Sequence, residues 1–131
     1  AYFIRYESRV ETWTRVLGDP LTWKSGDPTE EVTGPREHTI RVETLAEAQG
    51  VFLRCPSCEV RKNEPGCGEH WMQVTFADRG VAPEHGCHGS HGEPTRWNVS
   101  GTSLDDLTTT PSIQLVGGCN WHGFITTGDA A

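Results

Sequence analysis

The sequence has no apolar run that approaches the ~20 residues a helix needs to cross a bilayer, so a membrane-spanning helix is excluded. Basic charge is scarce: 11 Lys and Arg face 18 Asp and Glu, for a net charge of -7. The densest basic run is Arg61-Lys62, whereas nucleic-acid binders carry a stripe that exchanges counterions for phosphates. The expectation is therefore no nucleic-acid partner, no membrane, and a surface kept soluble by acidic charge. The opening Ala1-Tyr2-Phe3-Ile4-Arg5 lacks the long apolar stretch of a signal peptide, which points to a reducing compartment. Five cysteines cannot all pair with one another, so a complete set of internal disulfides is excluded and metal ligation is the better expectation. There is no internal repeat and no low-complexity tract.

Hydrophobic residues make up only 34% of the chain, while 15 Gly and 8 Pro punctuate it densely. Such punctuation implies many turns and short elements. The length, 131 residues, is that of one domain with one modest core. Strands are predicted over residues 2–6, 10–16, 38–42, 51–54, 71–76 and 96–99, with a further short strand over 21–23. Val10, Thr12, Thr14 and Val16 share one face of the second strand and Trp13 lies on the other. Residues 113–116 and 123–126 flank a Gly117-Gly118-Cys119 turn and are predicted to form a closing hairpin. One short helix is predicted, with Thr44 as its N-cap, Glu47 completing a capping box and Gly50 as its stop. Residues 80–95 read as a long surface loop, and 104–107 as a turn or short helix. The fold class is thus mainly β: a small irregular antiparallel domain with one short helix, cross-linked by zinc.

Cys55-Pro-Ser-Cys58 is the sharpest chemical signal. A C-x-x-C turn lets two thiolates converge on one metal, and tetrahedral zinc then needs two further donors. Cys67-Gly-Glu-His70 and Cys119-Asn-Trp-His122, both spaced C-x-x-H, can each supply them. If Cys55-Cys58 and Cys119-His122 share one ion, the metal closes a loop of about 60 residues. A redox role for Cys55 and Cys58 would require a helix after the motif, and the charged stretch 59–66, ending in Pro65-Gly66, is a poor helix. A second cluster, His85, Cys87, His88 and His91, together with Cys67, is a candidate for a second zinc; its bland reading is a polar loop spaced by Gly and Ser.

Two residues invite a catalytic reading. Glu69 stands beside His70, where a carboxylate can act as base for a zinc-bound water. Four good ligands would close the metal to water, and neither the H-E-x-x-H pattern nor that of a zinc deaminase is present, so a solvated surface carboxylate is the simpler reading. Ser112 would need a base within hydrogen-bond reach, which His122 on the partner strand can provide; the simpler reading is a serine that turns the chain after Pro111. Trp97, Trp121 and Phe124 read first as core.

The segments Ala48–Cys58, Arg96–Gly101, Leu104–Leu107, Thr110–Ile113 and Gly118–Thr126 resemble DUF6527, an uncharacterised family abundant in tailed-phage genomes. The similarity spans residues 38–129, leaving 1–37 as a variable N-terminal β segment of the same domain. The resemblance implies metal-type positions at Cys55, Cys58, His70, Cys119 and His122, with Cys67 and the His85–His91 cluster particular to this chain. It implies a phage setting, in the cytoplasm of the infected bacterial host or on the virion. Some bacterial relatives lie beside ubiquitin-like conjugation genes, an association with peptidase activity. The expectation is a zinc-binding accessory or binding domain with a protein partner; the alternative is a small zinc-dependent hydrolase, such as a peptidase.

Overall fold

The computed structural model describes residues 1–60, 70–89, 91–115 and 120–131. Half of the chain is strand and the sheets are antiparallel, as the alternation and the Gly and Pro punctuation dictate. The chain divides into two compact units, residues 1–5 with 40–131, and residues 6–39.

In the larger unit, the beginning of β1 (Tyr2–Val16) pairs antiparallel with β3 (Gly50–Arg54), placing Tyr2 opposite Phe52 and Ile4 opposite Gly50. β3 pairs in turn with β4 (Trp71–Thr75), from Gly50 opposite Thr75 to Arg54 opposite Trp71. Including β2 (Thr29–Val42), the sheet order is β2-β1-β3-β4. Strand alternation decides what is buried. Val51, Leu53, Met72 and Val74 turn to the core with Phe3, Phe76 and Trp97, while Tyr2, Phe52 and Trp71 share the other face. There, Phe52 stacks on Trp71 at 5.0 Å and tilts against Tyr2 at 5.3 Å; Arg54 and Arg41 lie over the outer rings.

The rest of this unit is short hairpins closing over that core. β5 (Asn98–Ser100) pairs with β6 (Thr108–Thr110), β7 (Ile113–Gln114) with β8 (His122–Gly123), and β9 (Ile125–Thr126) with β10 (Asp129–Ala130). Leu107, Ile113 and Ile125 anchor them in the core. The closing hairpin is thus shorter than predicted, and residues 125–126 pair onward with β10 rather than back with β7.

The predicted helix at Thr44 is a single 3-10 turn, Leu45–Glu47; Thr44 does cap it, but Leu45 and Ala48 are drawn into the core before a second turn can form. The α-helix present, α1, runs from Pro56 to Val60 directly after Cys55, where little helix was expected. Proline at the first helical position has its φ preset and no N–H to leave unpaired, which explains why the chain turns helical there. A second 3-10 turn, Leu104–Asp106, is closed by a capping box between Ser103 and Asp106.

In the smaller unit, β1 continues to Val16 without the interruption the sequence suggested, and β2 extends N-terminally from residues 38–42 to Thr29. Gly34 and Pro35 lie inside β2, an edge strand, the place in a sheet where proline is tolerated. Residues 21–23 form a turn instead of a strand. The ribbon is held by polar pairs: Thr12 with Thr33 at 2.7 Å, Glu11 with His38 at 2.7 Å, and the Arg15 Nε donating to Glu30 at 2.8 Å. Arg36 covers Trp13 at 5.0 Å, whereas Val10, on the opposite face, is largely exposed.

Candidate metal centre and the Ser112 cavity

β3 delivers Cys55 to the edge of the core and α1 carries Cys58 back beside it; both thiols are fully buried. The antiparallel register that sets Arg54 opposite Trp71 sets Cys55 beside His70, and the Cys55 amide donates to the His70 carbonyl at 2.8 Å. The His70 ring reaches Cys58, with Nδ1 3.0 Å from Sγ. Two adjacent ligands of tetrahedral zinc stand about 3.5 Å apart, from bond lengths of roughly 2.3 Å to sulfur and 2.0 Å to nitrogen. A small outward shift of the imidazole therefore brings the pair to ligating separation. The donor set fits zinc: two thiols free of disulfide and an imidazole, on two paired strands and a short helix. Among the described residues no three such side chains meet in metal-ligating geometry, and the Cys58–His70 pair is the contact on which a site can be built. Cys67, Glu69 and Cys119 lie outside the described residues.

His122 turns elsewhere. In β8 it stands opposite Gln114 of β7, and its Nε2 is 2.9 Å from the Ser112 hydroxyl. Gly123, next in the chain, has no room for a side chain: a Cβ there would lie 2.5 Å from the Ala131 carbonyl oxygen, in the segment that exchanges backbone hydrogen bonds with Phe124. Ser112 is fixed from its other side, because the Trp97 indole donates to its carbonyl at 3.3 Å.

The loop 80–95 is more ordered by hydrogen bonds than its composition implied. Arg96 donates to the carbonyls of Ala82 and Thr95 and to the buried Thr75 hydroxyl. His88 engages the Pro83 carbonyl at 2.8 Å, and Cys87 sits against the Gln73 carbonyl at 3.5 Å. Burial pushes the Cys87 thiol up from its ordinary range, with the Arg96 charge opposing. His85, Cys87, His88 and His91 do not gather into a metal group among the described residues.

Cys87 and His88 instead line a cavity of about 460 Å³ with Ser112, Gln114, Trp97 and Met72. Its volume falls within the roughly 300–1,000 Å³ usual for small-molecule sites. Sequence reasoning singled out Ser112, Cys87 and His88 but did not unite them. Gln114 and Met72 gave no signal, because the walls come from separate segments that only the fold assembles. Comparison with protein-family models, with curated proteins and with solved structures finds no match to the chain.

Proposed function

We propose that this chain is a zinc-stabilised β module of phage origin that serves as an accessory or binding domain for a protein partner. The observation that carries the reading is the 3.0 Å approach of His70 Nδ1 to the buried Cys58 thiol, with Cys55 buried at the same strand end. Cys55, Cys58 and His70 would hold the ion. Cys67, outside the described residues, would be the fourth ligand, because C-x-x-C followed by C-x-x-H within residues 55–70 can form a local site. Bound zinc supplies cross-linking of β3, α1 and β4 where the core is thin.

The phage setting rests on the likeness of the Ala48–Cys58 and Gly118–Thr126 segments to DUF6527. A binding role is supported within the smaller unit by Leu21, 94% exposed, and by Leu17 and Trp23, also exposed, on the segment joining the two strands. Large apolar side chains left in water favour a partner that covers them.

Elemental analysis of the purified protein tests the reading. About one equivalent of zinc is expected, falling below half in Cys55→Ser, Cys58→Ser and His70→Ala. Cys67→Ser should lose metal and Cys119→Ser should keep it; the reverse would move the site to the C-terminal motif. Less than half an equivalent in the unmodified protein would overturn the reading.

A further inference from the structure

We infer that Ser112 and His122 form a nucleophile–base pair that cleaves small acyl esters bound in the adjoining cavity, a second site independent of the metal. The pair has the separation that general-base activation requires, 2.9 Å between Oγ and Nε2. With the ring proton on Nδ1, Nε2 accepts from the Ser112 hydroxyl and raises its nucleophilicity.

The pair is built rather than incidental. Ser112 and Gln114 are two apart along the chain where it enters and runs through β7, and the pairing of Gln114 with His122 sets the histidine across from them. The indole of Trp97 fixes the Ser112 backbone, and Ile113, 3% exposed, anchors the strand in the core. Ser112 lines the cavity of about 460 Å³, while His122 is exposed and can exchange its proton with water.

The walls define the substrate class. Met72, Val74, Trp97, Ile113 and Leu115 line the cavity and offer an apolar surface with no Lys, Arg, Asp or Glu. That surface suits a short aliphatic acyl chain, with His88, Gln73 and Gln114 among the polar residues of the lining. Gln114 belongs to the same lining, and its amide is the donor assigned to the developing oxyanion.

In the step, Ser112 Oγ bonds to the ester carbonyl carbon as its proton passes to His122 Nε2. The tetrahedral adduct collapses with cleavage of the carbon–alkoxy bond, and His122 returns the proton to the departing alcohol. Water, deprotonated by the same imidazole, then attacks the acyl-serine. That releases a carboxylic acid and restores the hydroxyl, with no redox change.

The test uses the full chain with its metal as purified. A fluorophosphonate probe should add to the protein, and fragmentation should place the added mass on Ser112. p-Nitrophenyl butyrate should be hydrolysed, with Ser112→Ala at background and His122→Gln at least about 100-fold slower. No added mass on Ser112 in the unmodified protein overturns the inference without recourse to any variant. So does hydrolysis that survives Ser112→Ala, or labelling of Ser112 undiminished in His122→Gln.

Discussion

Cys58 and His70 meet across the end of the β3–β4 pair, with the thiol sulfur 3.0 Å from Nδ1 of the ring. The strand register sets this contact: β4 begins at Trp71 opposite Arg54, so the residue before it arrives beside Cys55 and one short helix away from Cys58. Zinc bound there, as proposed above, would tie three elements together. Chelation of zinc, or His70→Ala, is expected to lower the melting temperature by about 10 °C or more, because an apo form loses a cross-link worth several kcal/mol. Thermal melts with and without chelator check this.

Cys87 provides the contrast. Its thiol, on an exposed residue but partly desolvated, has its pKa raised and faces the Gln73 carbonyl. Cys87→Ser is expected to retain its zinc and melt within about 2 °C of the unmodified protein, a change of well under 1 kcal/mol. Elemental analysis alongside calorimetry reads both.

Arg96 is the bolt of the 80–95 loop, donating to Ala82, Thr95 and Thr75. Arg96→Ala leaves those acceptors without their donor and should cost about 1–3 kcal/mol in urea denaturation. Limited proteolysis should then cut within residues 80–95 before any other segment.

The general class was legible in the sequence because it depends on local rules. Alternation in residues 2–6, 51–54 and 71–76 identified strands, and the C-x-x-C and C-x-x-H spacings drew attention to the segment where Cys58 meets His70. What was hidden depended on long-range packing. The Thr44 cap was correct, yet tertiary burial of Leu45 and Ala48 kept the turn from becoming a helix. Residues 29–37, outside the predicted strand 38–42, proved to belong to an edge strand, which the sheet order makes plain. The pairing of Ser112 with His122 was a possibility in the sequence, beside a simple turn role, and the β7–β8 register brings the two within 2.9 Å.

Asp106 makes one local, pH-dependent contribution to the turn at Leu104–Asp106. Its carboxylate accepts first from the Ser103 amide, then from the Thr102 amide and hydroxyl, and these bonds hold its pKa below the ordinary 3.8. A depressed folded-state pKa means the stabilisation is fully present above about pH 3.8 and is lost as the pH falls through the lower, folded value. Asp106→Asn should therefore melt below the unmodified protein at pH 7, and the gap should narrow beneath pH 3.8. Paired melts from pH 7 downward measure the gap.

Gly123→Ala should destabilise the hairpin that carries His122. The added methyl would meet the Ala131 carbonyl at 2.5 Å and the Trp121 ring at 2.6 Å, so backbone must move. A cost of about 1–3 kcal/mol is expected in denaturant titration, the usual range for overpacking.

The zinc site within residues 55–70 is the central claim, and X-ray absorption at the zinc edge of the purified protein tests it most directly. A four-ligand shell is expected, with sulfur at about 2.3 Å dominating and at least one imidazole at about 2.0 Å. The sulfur contribution should fall in Cys58→Ser and the imidazole signal should vanish in His70→Ala. A shell of oxygen and nitrogen without sulfur would contradict the account, as would a spectrum unchanged by both substitutions.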